Sequence, residues 1–261
     1  MGKFDGILIC SDWDGTLFNG KEVPKESVNA IKYFQENGGL FTVCSGRQPH
    51  YLKRYEHFVK PNTYALCMNG AIICDLDTGK MLKEEFVAEN AYAALEAAIE
   101  SGAEVNFLCA AFRGDEDLTR FTKEEYYEQR ENIKTRKVHK LTAGCPTEAD
   151  ALRMMDAINA LALPDHTVAR SFISYIEILH NDNMKGKTAR YLKEITGSRV
   201  LVGVGDYEND LTLIRDADIG YAVANATPSL KAIADRVTVS VDECAIAKII
   251  KDLEREFVDK A

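Results

Sequence analysis

Short apolar segments alternate with amphipathic helical segments at both ends of this 261-residue chain, and this alternation constrains its fold most strongly. The predicted strands are almost wholly apolar and lie at residues 6–10, 40–44, 64–68, 200–204, 219–223 and 237–241. The predicted helices begin at Pro24 and, later in the chain, span residues 185–194, 209–216, 228–234 and 244–257. Apolar strands that alternate with helices indicate a parallel sheet covered on both faces. The sequence therefore predicts an α/β fold with a Rossmann-like, doubly wound core.

The middle of the chain has a different pattern. Residues 113–140 contain fifteen charged side chains and few strand-like runs. Two amphipathic helices and two half-exposed strands are expected in the middle region, at residues 91–99, 149–161, 138–143 and 174–179. We therefore expect an inserted α+β cap domain at residues 83–180, which divides the catalytic core into residues 1–82 and 181–261.

Charge and cysteine content exclude several classes of protein. The 32 basic and 41 acidic residues give a net charge of −9, which argues against a surface that binds nucleic acid or an anionic membrane. No apolar run approaches the roughly 18 residues of a bilayer span, and the apolar segment at residues 7–10 is too short for a signal peptide. Seven scattered cysteines without a C-x-x-C pair favour reduced thiols in a cytoplasmic protein. The sequence carries no signal for an oligomeric state.

Two aspartates follow the first predicted strand directly, in the segment D-W-D-G-T-L at residues 12–17. Carboxylates two residues apart at a strand exit can point to the same side. The carboxyl end of an open parallel sheet is also where ligands bind. An Asp-Gly turn with a helix cap is the ordinary alternative, but we interpret Asp12 and Asp14 as candidate catalytic residues.

Ser45 and Gly46 follow the second predicted strand in the same way. A small hydroxyl beside free backbone N–H groups suits an incoming phosphate, although Ser-Gly is also ordinary turn chemistry. Lys185 begins the helix at which the chain returns from the insert. A lysine near a helix start is disfavoured by the helix dipole, which suggests a specific anionic partner. A plain surface lysine is the ordinary interpretation of this residue taken alone.

A third strand end carries the segment G-D-Y-E-N-D at residues 205–210. A turn that enters a helix would stack Asp206 and Asp210 on one side, and oxygen ligands of this kind suit Mg²⁺. Carboxylates that converge at one site repel each other unless a divalent cation lies among them. A carboxylate that attacks a phosphate meets the same repulsion, which the cation and Lys185 would relieve. The four segments together therefore predict Mg²⁺-assisted phosphoryl transfer through an aspartyl-phosphate.

These segments resemble the four motifs of the haloacid dehalogenase-like (HAD) superfamily, in the order D-x-D-G-T-L at 12–17, S-G-R at 45–47, K-G at 185–186 and G-D-x-x-N-D at 205–210. The Asn-Gly-Ala segment at 69–71, which also suggests a hairpin turn, is similar to the Cof-type phosphatases of that superfamily. So is the run from Asn225 to Thr238. The insert falls between Ser45 and Lys185, which is the position of a C2-type cap. Two departures from the family pattern are Trp13, in place of an aliphatic residue, and Cys244, where glycine is common.

The resemblance implies a role for each matching residue. Asp12 would be the nucleophile and a metal ligand, and Asp14 would protonate the leaving group, activate water and offer the metal its backbone carbonyl. Asp206 would be the third ligand to Mg²⁺, with Asp210 orienting it. The phosphoryl oxygens would be held by Ser45, Gly46, Lys185, Asn209 and the backbone of Trp13, whose ring should point elsewhere.

The expected partner is a small phosphorylated metabolite. The resemblance implies a phosphatase that acts on sugar phosphates or similar phosphate monoesters, with its selectivity set by the cap. A basic cluster, residues 134–140, is interpreted as a solvated face of the insert. Contact with a second anionic group of the substrate is the alternative for that cluster.

Other functions fit the residues less well. A sugar phosphomutase of the same superfamily uses the same two aspartates and remains the alternative enzyme. Dehalogenation has no leaving alkoxide to protonate, so the presence of Asp14 disfavours it. A receiver domain needs far fewer residues, and a nicotinamide, flavin or P-loop protein would need a glycine-rich loop that this chain lacks. The filled polar positions argue against a protein that binds a ligand without catalysis.

Overall fold

A computed structural model describes residues 2–257 of the chain. The chain folds into two compact units. The core unit contains Met1–Lys83 and Lys185–Ala261, and the inserted unit contains Glu84–Met184. Among the residues that the structure describes, no helix is both long and apolar enough to cross a membrane.

Strands and helices are numbered here in chain order. The strands are Ile7–Ser11 (β1), Leu40–Val43 (β2), Ala65–Cys67 (β3), Ile72–Cys74 (β4), Met81–Glu84 (β5), Phe107–Phe112 (β6), Thr119–Phe121 (β7), Val138–Gly144 (β8), His166–Phe172 (β9), Tyr175–His180 (β10), Val200–Gly205 (β11), Ile219–Ala222 (β12) and Arg236–Val237 (β13). The α-helices are Lys25–Glu36 (α1), Pro49–Arg54 (α2), Ala91–Glu100 (α3), Lys123–Thr135 (α4), Glu148–Ala160 (α5), Lys185–Thr196 (α6), Leu211–Asp216 (α7), Pro228–Ile233 (α8) and Ala245–Phe257 (α9).

The core unit contains a five-stranded parallel sheet in the order β13-β12-β11-β1-β2. Strand β1 pairs with β2 on one side and with β11 on the other, so the chain order reverses between β1 and β11. In a doubly wound sheet, this reversal opens a crevice at the carboxyl ends of the strands, where ligands bind. The predicted strand ends at residues 12 and 206 lie on the two sides of that crevice.

Helices pack on both faces of the core sheet. One face packs against α6 and α7 through a buried cluster that includes Leu8, Cys10, Ala189, Leu192, Leu201 and Leu213. Ile7 and Ile9 alternate to the opposite face and are also buried, while α1 packs against β2 and α9. All of β1 is buried as a result, and each fully buried Leu or Ile contributes roughly 1.5–3 kcal/mol.

The third predicted strand belongs to a second, three-stranded sheet of order β3-β4-β5. β3 and β4 pair antiparallel, and the turn Met68–Gly70 joins them, so the hairpin predicted at Asn69-Gly70 is confirmed. An isolated parallel bridge between Cys44 and Leu66 connects the end of β2 to this sheet. The hairpin turn is thereby placed beside the carboxyl ends of the core strands.

The inserted unit is an α+β unit with its own core. Its five-stranded sheet has the order β7-β6-β8-β10-β9, and its strands pair antiparallel. Helices α3, α4 and α5 contribute buried side chains to one apolar cluster with this sheet. A capping box between Thr122 and Glu125 begins α4, in the charged stretch for which the sequence pattern indicated few strand-like runs.

The structure contradicts three expectations about exposure and strand length. The segment at 138–143 is buried at every position rather than half-exposed, because β8 lies between β6 and β10 in the middle of its sheet. The predicted strand at 237–241 is reduced to Arg236–Val237, and Ser240 instead caps a 3₁₀ turn at Val241–Glu243. The basic cluster is likewise not a wholly solvated face, since Lys140 is only 4% exposed.

Candidate active site

The turn after β1 brings Asp12 against the neighbouring strand β11. The backbone N–H of Asp12 donates to the carbonyl of Val204 at 2.9 Å, and the residue is 6% exposed. Gly15 has φ +79°, and a Cβ atom there would lie 2.5 Å from Oδ2 of Asp206. The turn therefore requires glycine, and this close approach brings the D-W-D-G-T-L segment against the segment that follows β11.

Lys185 lies at the centre of the buried charges. Its Nζ donates to Oδ1 of Asp12 at 2.5 Å and to Oδ1 of Asp210 at 2.6 Å. The side chain is fully buried. Burial lowers the pKa of a lysine, but the charges of Asp12 and Asp210 outweigh burial here and hold the pKa of Lys185 well above its usual value. The ammonium group therefore stays charged and can face an anion.

Three carboxylates surround this lysine. One oxygen each from Asp12, Asp206 and Asp210 lies within 4.8 Å of the others. Burial, followed by the charge of Asp210, raises the pKa of Asp12 well above its ordinary value in spite of Lys185. The same two causes raise the pKa of Asp206 to about 7. The cluster thus carries more negative charge than one lysine can balance, which is the condition that a bound cation relieves.

The hydrogen bonds within the cluster separate two kinds of carboxylate. Both oxygens of Asp210 have partners in the protein, since Oδ1 accepts from Lys185 and Oδ2 accepts from the backbone N–H groups of Asp206 and Tyr207 at 3.0 and 3.2 Å. Asp206 accepts a hydrogen bond from the Thr16 hydroxyl at 2.9 Å. Asp210 therefore orients the turn after β11, while Asp12 and Asp206 are better placed to ligate a metal. Mg²⁺ suits such a set because it takes few carboxylates and keeps several waters.

Asp14 lies outside the carboxylate cluster and is held by Arg47. The guanidinium Nε donates to Oδ2 of Asp14 at 2.9 Å, and Nη2 donates to Oδ1 at 3.1 Å. The Arg47 guanidinium also stacks 4.6 Å from the centre of the Tyr51 ring. Both side chains of the Arg47–Asp14 pair are about half exposed. Asp14 is therefore an oriented carboxylate that solvent can reach, as a proton donor or base requires.

Ser45, Gly46 and Asn209 meet around the hairpin turn between β3 and β4. The Ser45 hydroxyl accepts from the Arg47 N–H at 3.1 Å. The Asn209 amide Nδ2 donates to Oδ1 of Asn69 at 3.3 Å. A Cβ atom at Gly46 would lie 3.2 Å from that same Oδ1. The structure therefore brings the predicted phosphate-binding residues to one edge of the core sheet.

Trp13 directs its ring away from the carboxylates. The residue is 2% exposed, and its ring stacks on Phe18 with centroids 5.3 Å apart and an interplanar angle of 12°. Tyr55 packs beside it at 5.8 Å. The Trp13 ring thus packs within an aromatic cluster, while the backbone of Trp13 remains between Asp12 and Asp14.

Three residues of the site had no role in the sequence-based assignment, namely Arg47, Thr16 and Asn69. All three lie inside segments that matched the family motifs. Their partners are 33, 190 and 140 residues away in the chain. The spacing of residues within a motif cannot indicate contacts over such distances in the chain. The only sequence signal for these three residues was that each lies beside residues already assigned to the site or its motifs.

Comparison with known proteins identifies the family. A family model for haloacid dehalogenase-like hydrolases matches residues 9–250, and the chain belongs to this family. One relative is named "Putative phosphatase YxeH", from Bacillus subtilis. It is 26% identical over 263 residues, which cover 94% of this chain and 97% of the relative.

Solved structures share the fold. A haloacid dehalogenase-like hydrolase from B. subtilis has a TM-score of 0.79 at 21% identity and covers 94% of this chain and 99% of its own. The HAD subclass IIB sugar phosphatase BT4131 has a TM-score of 0.74 at 19% identity, with 94% and 98% covered. These likenesses confirm the α/β fold, and the family model confirms the resemblance to the HAD superfamily. The chain is an enzyme, a phosphatase of the HAD superfamily.

Proposed function

We propose that this phosphatase depends on Mg²⁺ and hydrolyses small phosphate monoesters through a phosphoryl group carried on Asp12. The observation that carries this proposal is the buried cluster in which Lys185 contacts both Asp12 and Asp210 while Asp206 lies beside them. A structural ion pair needs one carboxylate for each ammonium. This cluster has two carboxylates more than that, at the crevice where doubly wound sheets bind ligands.

The donor set of the cluster fits Mg²⁺. Asp12, Asp206 and the backbone carbonyl of Asp14 would hold the ion, and hard oxygen donors of this kind are those it prefers. When bound, Mg²⁺ supplies positive charge that lets a carboxylate and a phosphate approach each other. Asp210 would keep Asp206 and the turn in place through its two backbone hydrogen bonds.

The chemistry of the first half-reaction falls to Asp12 and Asp14. An oxygen of the Asp12 carboxylate forms a bond to phosphorus as the bond from phosphorus to the leaving oxygen breaks, and Asp14 gives that oxygen a proton. In the second half-reaction, Asp14 takes a proton from water, and the water oxygen attacks the phosphorus and releases Asp12. Arg47 fixes the direction in which Asp14 points, through its two hydrogen bonds.

The remaining site residues would bind the phosphoryl group. Lys185 offers a buried, charged ammonium beside the nucleophile, and Asn209, Ser45 and the backbone at Gly46 and Trp13 offer donors around it. Such donors stabilise the charge that spreads over the equatorial oxygens of the phosphoryl group during transfer.

The substrate class is a small phosphorylated metabolite, which a sugar phosphate would satisfy. Support comes from the structural likeness to a sugar phosphatase and from the motifs that match Cof-type enzymes. We propose that residues 83–180 act as the cap that selects the substrate. We also propose a cytoplasmic location, since the seven cysteines are free thiols.

A direct test uses metal-free protein and a generic aryl phosphate. Turnover should be negligible in chelator and should return with Mg²⁺, whereas Ca²⁺ should inhibit because its larger, looser coordination shell lets Asp12 bind through both oxygens. Full turnover by the metal-free protein would contradict the proposal. A panel of sugar phosphates, assayed for released inorganic phosphate and for isomerised sugar in the presence of a bisphosphate, separates the phosphatase from a phosphomutase.

A further inference from the structure

The turn between β3 and β4 is strained and buried beside the candidate active site. Met68, Asn69 and Gly70 have φ values of +54°, +56° and +100°, so three consecutive residues occupy the left-handed region. Left-handed backbone is unfavourable for residues other than glycine. All three residues are buried. Such strain persists only where the surrounding structure holds the backbone in place.

Hydrogen bonds anchor this turn to the phosphate-binding segments. The N–H of Met68 donates to the carbonyl of Arg47 at 3.0 Å, and the N–H of Asn69 donates to the carbonyl of Ser45 at 2.9 Å. On the other side, the Thr188 hydroxyl donates to the carbonyl of Gly70 at 3.3 Å. Thr188 lies on α6, the helix that begins with the buried lysine. The turn is therefore fixed both to the segment after β2 and to α6.

The strained conformation directs the Asn69 side chain between two predicted phosphate-binding groups. Asn69 is 2% exposed, so its side chain is held among the surrounding residues. Its Oδ1 accepts a hydrogen bond from Nδ2 of Asn209 at 3.3 Å. The same Oδ1 lies 3.2 Å from the point that a Cβ atom at Gly46 would occupy. Asparagine suits this place because it tolerates left-handed backbone and carries an amide acceptor.

We propose that Asn69 is a positioning residue that orients the Asn209 amide toward the phosphoryl group. This inference rests on the proposed function. The Nδ2 atom of Asn209 carries two hydrogens, and the bond to Asn69 uses one of them. The plane of the amide is then fixed, and the second hydrogen points along one direction only. Without Asn69 the amide would rotate and bind a phosphoryl oxygen in only a fraction of its conformations.

A double-mutant cycle with Asn69→Gly and Asn209→Ala tests this proposal. Glycine adopts the left-handed conformation without strain, so the substitution removes the side chain and keeps the turn. In the wild-type background, Asn69→Gly should weaken inorganic phosphate binding in Mg²⁺, and lower kcat/KM for an aryl phosphate, by about fivefold to tenfold, as for a lost hydrogen bond. In the Asn209→Ala background the same change should cost less than about twofold, since its target is absent.

Asp165→Gly is the matched control, because Asp165 also has positive φ (+65°) but lies exposed in the inserted unit. It should leave phosphate binding unchanged. An equal loss from Asn69→Gly in both backgrounds, no loss in either, or a melting temperature lowered by many degrees would each overturn the proposal. A wild-type protein that binds phosphate without hydrolysing esters would contradict the proposed function alone, because the cycle can still be measured on binding. Failure of the wild-type protein to bind phosphate would overturn both.

Discussion

Both units of the molecule bury charged side chains, but they do so in different ways. In the inserted unit, Lys140 and Glu177 form an ion pair at 2.5 Å with side chains 4% and 6% exposed. In the core unit, Lys185 faces Asp12 and Asp210, with Asp206 nearby. The first arrangement sets a lysine against a glutamate, whereas the second gathers three carboxylates around one ammonium.

The difference distinguishes a structural pair from a candidate active site. Lys140 and Glu177 lie on the neighbouring strands β8 and β10, one diagonal step apart, since Glu177 is opposite Thr142. Paired charges of this kind cost little once formed, although removing one partner is expensive. The core cluster raises the pKa values of Asp12 and Asp206, so it disfavours its own ionised state. A chain keeps such a cluster where a ligand supplies the missing positive charge.

The largest expected effect comes from the nucleophile in the core cluster. Asp12→Asn should abolish aryl phosphate hydrolysis and leave no phosphoenzyme, because an amide is a poor nucleophile and a poor metal ligand. Glu177→Gln, which alters the buried charge of the inserted unit, is the control and should keep this activity. Steady-state assays and intact-protein mass spectrometry provide the two measurements. Equal losses in the two variants would show that the contrast between the units is wrong.

The second aspartate should give a smaller and different effect. Asp14→Asn keeps the nucleophile but removes the proton donor and base, which contribute roughly 10²–10⁴-fold. An aryl leaving group needs little protonation, so hydrolysis of the phosphorylated enzyme should slow more than its formation. Asp14→Asn should therefore accumulate one phosphoryl group on Asp12, detected by peptide mapping after quenching in acid. Phosphate located on Ser45 or on a histidine would contradict the mechanism.

Much of the core fold could be predicted because its strands are buried on both faces and read as uninterrupted apolar segments. The inserted unit was harder, since buried polar residues interrupt its strands, as Lys140, Thr142 and Glu177 do, and its helix α4 is rich in charge. The start of α4 could have been predicted from Thr122 and Glu125, which form a capping box. The burial of β8 could not, because it follows from the order of strands in the sheet.

The candidate site was predictable where polar residues directly follow strands, since parallel strands bring their carboxyl ends to one edge. The placement of Asp12 and Asp206 at that edge required nothing more, whereas their proposed roles came from the resemblance to the HAD motifs. Two contacts join distant parts of the chain, one between Arg47 and Asp14 and one between Asn69 and Asn209. Neither could be predicted from the sequence, because each depends on the folded structure. Cys244 illustrates a third case, because its φ of +65° is a backbone conformation that favours glycine, which the residue type did not indicate.

The ion pair of the inserted unit should respond to substitution through stability rather than activity. Lys140→Met leaves Glu177 without its buried ammonium partner and should lower the free energy of unfolding by about 3 kcal/mol. The double variant Lys140→Met/Glu177→Leu should recover most of that loss, because it removes both charges. Urea denaturation gives the free energies, and aryl phosphate turnover should change little in either protein. A double variant less stable than the single one would show that these charges are not mainly a pair.

The smallest expected effect is a pH-dependent stabilisation by Mg²⁺. With a pKa of about 7, raised by burial and by Asp210, Asp206 holds a proton in much of the metal-free protein below neutral pH. That proton competes with the metal, so Mg²⁺ affinity should fall by up to about tenfold per pH unit below pH 7. The folded chain also holds this proton more tightly than the unfolded chain, so the contribution of Asp206 to metal-free stability decreases as pH rises from about 4 to 7. At a fixed Mg²⁺ concentration, the rise in melting temperature should be a few degrees larger at pH 8 than at pH 6. Asp206→Asn should reduce the difference, and equal shifts at both pH values in the wild-type protein would show that Asp206 does not control metal binding.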